Sequence, residues 1–62
     1  MTVQEIENLV QKIEAYQEEI LDKMDTAEEN GQYQRAENLL KDYRFNEEQI
    51  MKLSTRKREL LK

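Results

Sequence analysis

Along the first half of the chain, Val3, Ile6, Val10, Ile13, Gln17, Ile20, Met24 and Ala27 recur at alternating steps of three and four. That spacing keeps every one of them on a single face of an α-helix and is the heptad signature. Leu9, Tyr16 and Leu21 widen the face on either side. A seam two residues wide serves one partner helix, whereas this broader stripe suits a bundle in which each helix touches two others. The second half repeats the pattern through Tyr33, Ala36, Leu39, Leu40, Tyr43, Ile50, Leu53, Leu60 and Leu61.

Between the two patterns lies Glu29-Asn30-Gly31-Gln32, which holds the only glycine of a chain without proline. Gly31 is the one residue that takes a positive φ without steric cost, so the spacing predicts an antiparallel hairpin that reverses at Asn30-Gly31. Helix 1 is expected over about residues 3–29 and helix 2 over about 33–61, as one all-α domain spanning 1–62. Thr2-Val3-Gln4-Glu5 is a capping box for the first helix, with Met1 and Ile6 at its staple positions. Asn30 can double as the N-cap of the second. Within the second helix, Asn46-Glu47-Glu48-Gln49 is another capping-box pattern with Phe45 and Ile50 as its staple, so the alternative is a three-helix bundle broken near Phe45-Asn46. The absence of Gly or Pro there favours a continuous helix.

Folding back at Gly31 sets residues whose numbers sum to roughly 62 beside each other, since both helices rise equally per residue. Gln17 then falls near Phe45, Asn46 and Glu47. A polar layer of Gln17, Asn46 and Glu47 in an apolar seam fixes register at some cost in stability; the other reading leaves Gln17 solvated at the seam's edge.

Charge divides the chain by sign. Residues 1–29 hold nine acids against Lys12 and Lys23, a net of −7, while residues 30–62 hold eight bases against five acids, a net of +3. Antiparallel pairing therefore sets an acidic helix against a basic one, and two copies of helix 1 side by side would repel. Lys52, Arg56, Lys57, Arg58 and Lys62 form the one basic cluster. It has no interleaved aromatics for base stacking and sits where cations complement a helix C-terminus, which argues against nucleic-acid binding. The acids of helix 1 could imitate a phosphate backbone, although solvated helical faces of this kind are far commoner.

With no Cys and no His, the chain lacks the usual ligands for zinc, iron and copper and the common nucleophile–base pairs. Carboxylates one turn apart, such as Glu18 with Asp22 or Asp25 with Glu29, read as solubilising charge. There is no phosphate-binding glycine loop. No cofactor, metal or catalytic residue is expected, and no apolar run reaches the length of a membrane span. The N-terminal residues lack the pattern of a secretory signal, so the chain reads as soluble and cytoplasmic.

The spacing Met24-x-x-Ala27 … Tyr33-x-x-Ala36-x-x-Leu39 resembles the UVR hairpin through which excision-repair subunits dock, over about a quarter of the chain. Gly31 stands where that family has an apolar residue, and Glu37 replaces its paired alanine. Gly31-Gln32-Tyr33 with Ala36 is similar to the turn of a tetratricopeptide repeat, without a second repeat. Sporulation-phosphatase hairpins are of this size, but their Ser-Gln-Glu-Leu-Asp signature has no counterpart. In outline the chain is similar to the repressor-of-primer hairpin, which dimerises into a four-helix bundle. That family binds RNA on a basic helix-1 face, and here the face is acidic.

Sixty-two residues bury a modest core, so a lone hairpin is marginal and pairing is the expectation. The sequence points to a non-catalytic protein–protein interaction module, an adaptor, co-chaperone or regulator, that pairs with itself or with another helical protein to complete a four-helix bundle. Leu9, Tyr16, Leu21, Leu39, Tyr43, Ile50 and Leu53 are the expected interface, because they flank the seam that one hairpin uses. The alternative is a nucleic-acid-linked regulator, either a UVR-like docking hairpin or an acidic DNA mimic.

Overall fold

A computed structural model describes all 62 residues as two helices, α1 (Val3–Glu29) and α2 (Tyr33–Leu60), with no strand. They pack side by side as an antiparallel hairpin measuring 48 × 15 × 12 Å.

The start of α1 is built as the sequence requires. Thr2 is extended, its hydroxyl accepts from Glu5 N–H at 3.1 Å, and the Glu5 carboxylate accepts from Thr2 N–H at 3.2 Å. Two of the four orphan donors of the first turn are thereby satisfied. Hydrogen bonding from Thr2, its backbone N–H first and its side chain second, holds the Glu5 carboxyl below the usual carboxylate range. Of the two staple positions, Ile6 is fully buried and Met1 stays largely exposed.

Gly31 ends α1 with φ +73°. Its N–H donates to Glu28 C=O at 3.0 Å, and Gln32 N–H donates to Ala27 C=O at 2.7 Å. These are the two bonds of a Schellman turn, which recapture carbonyls left open at the end of a helix. Asn30 belongs wholly to this C-terminus: its backbone is nearly helical (φ −91°, ψ 4°) and its side chain donates back to Thr26 C=O at 2.9 Å. It therefore does not cap α2, contrary to the sequence expectation. Gln32 holds the N-cap position of α2 and gives no side-chain capping bond.

Helix α2 runs unbroken through Phe45 and Asn46, so the three-helix alternative is excluded. The residues that imitate a capping box there are used otherwise. Glu47 bonds to α1, Asn46 lies half-buried at the seam, and Phe45 points outward. Phe45 is two residues from both Tyr43 and Glu47, about 200° round the helix from the side those residues present to α1, so it cannot join the layer near Gln17.

Candidate functional site

The core of the hairpin is narrow. Ile6, Ile20, Ala27 and Ala36 are its buried apolar residues. Val10, Ile13 and Met24 on α1, with Leu39, Leu40, Tyr43, Ile50 and Leu53 on α2, are half-covered. Single-layer packing of two helices covers one stripe on each and leaves the shoulders of both stripes open.

One polar residue lies inside that seam. Gln17 is 6% exposed, and its Nε2 donates to Glu47 Oε2 at 3.0 Å and to Tyr43 C=O at 3.3 Å. Both bonds span the two helices, and they fall in the interior of the seam rather than in solvent. A second cross-helix contact, Lys57 Nζ to Glu7 Oε1 at 3.0 Å, keeps the same register near the open end. Exposed ion pairs of this kind contribute about 0–1 kcal/mol, so the seam rather than the pair supplies the stability. Because Glu47 is exposed, it can return to water if Gln17 is removed. Gln17→Leu is accordingly expected to raise the urea midpoint, by about 1 kcal/mol of stability, since an apolar side chain of similar size replaces a buried amide. A lower midpoint in the variant would show that the amide bonds contribute more than they cost.

The flanking apolar residues divide between two edges. Glu7 and Glu14 share a shallow groove with Ser54 and Lys57, and Glu28 shares one with Tyr33, Glu37 and Leu40. Leu21 stands in the same seven-residue row as Glu7, Glu14 and Glu28, so it belongs to this acidic edge. On the opposite edge Lys23 shares a groove with Arg35. Leu9 and Tyr16 stand in the row of Lys23, while Leu39, Asn46, Leu53 and Leu60 follow Arg35 at steps of four and seven. Tyr43 and Ile50 lie on the seam itself, half-covered, in line with Ala36.

The seven residues expected to form one interface therefore do not form one surface. Four of them, Leu9, Tyr16, Leu39 and Leu53, lie along one edge, where Lys23 and Asn46 interrupt the apolar row, and Leu60 extends it. Leu21 lies about 120–140° round α1 from Leu9 and Tyr16. Leu60 was discoverable in the sequence from the seven-residue row Leu39, Asn46, Leu53, Leu60.

Charge follows the same division. Six of the nine acids of α1 project to the side of Glu7 and Glu14, Asp22 lies at the back and borders the groove of Lys23 and Arg35, and Glu5 and Glu19 share the apolar side with Lys12 and Lys23. The apolar edge of α1 is thus nearly neutral while its back is strongly acidic. The basic cluster of α2 does not form a stripe. Lys52, Arg56, Lys57, Arg58 and Lys62 spread round the helix, Arg56 pairs with Glu59 at 3.5 Å, and Lys57 pairs with Glu7. Nowhere does the fold gather three or more Asp or Glu side chains that could hold a metal ion, and neither helix is long and apolar enough to cross a membrane. No protein family, curated protein or solved structure matches the chain.

Proposed function

We propose that the protein is a non-catalytic interaction module that binds another helical surface through the edge formed by Leu9, Tyr16, Leu39, Leu53 and Leu60. The observation that supports this reading is the row of large apolar side chains along one edge with few charges among them, whereas on the other edge Leu21, Tyr33 and Leu40 stand among Glu7, Glu14, Glu28 and Glu37. Scattered exposed apolar residues are ordinary on a protein surface, but several in register beside an unclosed seam are what a partner helix covers. Pairing of this sort completes a four-helix bundle, in which each helix buries both shoulders of its stripe. The acidic side of α1 is accounted for as a solvated helical face.

A photo-crosslinking residue placed at position 16 tests the reading in the cells that express the protein, with position 21 as the control. Adducts are expected from position 16 and not from position 21. Equal labelling from both positions, or none from position 16, would remove the Leu9 edge as a binding surface.

A further inference from the structure

We propose that the occupant of the Leu9 edge is a second copy of this chain, related by a twofold axis along the bundle so that both Gly31 turns lie at the same end. The proposal rests on the reading of that edge as a binding surface and adds its partner and the geometry of pairing.

Area supplies the first argument. The hairpin exposes 4965 Å², whereas a compact monomer of its 7.5 kDa mass exposes about 4,250 Å². A compact particle of twice that mass exposes about 7,050 Å², so two hairpins reach ordinary compactness by burying about 2,900 Å² between them. That area lies in the range of obligate homodimers, about 2,000–5,000 Å². Pairing with one further copy is therefore enough to bring the particle to ordinary compactness.

Charge also favours a second copy on this edge. An isologous interface places the same patch on both sides, so a strongly single-signed patch repels itself. The Leu9 edge avoids this, because Lys12 and Lys23 offset Glu5 and Glu19 on α1, and Arg35 and Arg56 stand with Asp42 on α2. The Glu7–Glu14–Glu28 edge is more heavily charged, with Glu37, Glu47 and Lys57 beside it, so its own copy would bring more charge into the contact.

Two twofold arrangements bring the edges face to face. Rotation about an axis crossing the helices would stack α1 on α1, setting −7 against −7, and would place Leu9 of each copy over Lys23 of the other. Rotation about the long axis stacks α1 on α2, acidic helix on basic helix. Leu9 then meets Leu53 of the other copy, Tyr16 meets Asn46, and the aliphatic stem of Lys23 lies over Leu39, because these pairs are level within each hairpin. Apolar pairing and the charge of the whole helices favour the second arrangement.

Two measurements on the full chain test the proposal. In sedimentation equilibrium, with circular dichroism to confirm that each variant keeps its helices, the wild type is expected to be a dimer. Tyr16→Glu is expected to weaken it by about 100-fold or more, and Leu21→Glu, at nearly the same exposure on the other edge, by less than about 10-fold. A wild-type monomer at all concentrations would overturn the second copy as occupant while leaving crosslinks to a different protein as the test of the edge. A dimer that resists Tyr16→Glu, or dissociates with Leu21→Glu, would overturn the edge itself. Because the chain has no cysteine, Gln32→Cys carries a single spin label at each turn. A label separation within about 25 Å, the span of a four-helix bundle, is expected, and a separation near the 48 Å length of the hairpin would overturn the common-end geometry.

Discussion

Ile20→Ala is expected to remove about 2–4 kcal/mol of stability, the cost of deleting three carbons from a packed site that cannot collapse around the gap. Ile20 is 2% exposed and lies between Gln17 and Met24 on the seam of α1, so its side chain has no route to solvent. For a chain of this size the urea dependence is about 1 kcal/mol per M, and the midpoint should fall by about 2 M or leave no folded baseline. The next residue provides the control. Leu21 is 44% exposed on the acidic edge, and Leu21→Ala should cost under about 1 kcal/mol. Both variants must be compared at one protein concentration, because association raises apparent stability by mass action. Equal losses would mean that Leu21 is as enclosed as Ile20, and that the acidic edge rather than the Leu9 edge is covered in solution.

Ile20 and Leu21 also show what the sequence makes legible. Steps of three and four identify Ile6, Ile20 and Ala27 as core, and the stripe needs no tertiary information to be drawn. The turn is equally plain, since a single glycine in a chain without proline leaves one site for a left-handed residue. Thr2 and Glu5 mark the start of α1 because both partners of a capping box are local in sequence.

The edge on which each flanking residue lies is not legible in the same way. Periodicity places Leu9 and Leu21 on different shoulders of α1, but the hand of the hairpin decides which shoulder of α2 accompanies each. Helix α2 compounds the difficulty by offering two rows, one through Leu39, Asn46 and Leu53 and another through Leu40, Glu47 and Ser54. The structure half-covers Leu39, Leu40, Leu53 and Ser54 while seating Ala36, Tyr43 and Ile50 between the rows. Two tertiary contacts mark that phase, Gln17 with Glu47, which the position of the turn already brings together, and Lys57 with Glu7.

The capping pattern at Asn46 misleads for a related reason. Asn, Glu and Gln are tolerated inside helices when their side chains find partners or water, so the motif alone does not break one. With Glu47 held by Gln17 and no glycine or proline nearby, continuing the helix satisfies the backbone without a loop. Asn30 errs in the opposite direction. One residue cannot keep the near-helical backbone that closes α1 and also take the extended conformation of an N-cap. The turn uses Asn30 for the first task, which leaves α2 with Gln32 at its start.

Gly31→Val should cost about 2 kcal/mol, entirely through the backbone. At φ +73° a Cβ added to Gly31 meets no atom within 4 Å, so crowding by neighbours is absent and the penalty is the intrinsic one of a branched residue in the left-handed region. Two bonds depend on that conformation, Gly31 N–H to Glu28 C=O and Gln32 N–H to Ala27 C=O. A valine that relaxes to negative φ gives up both and misdirects α2 against α1. A substitution series separates this cause from bulk. Asparagine tolerates the left-handed region better than alanine although it is larger, so the expected order of loss is Asn, then Ala at about 1 kcal/mol, then Val. The smaller conformational freedom of all three in the unfolded chain offsets part of each loss, by about 0.4–1 kcal/mol, without changing the order. Losses that instead rank with side-chain volume, with the asparagine midpoint below that of alanine, would mean that the space round Gly31 is closed in solution. Since the tip of the hairpin is open in the single chain, closure there would have to come from whatever packs beside it, and the turn itself would then be part of the interface.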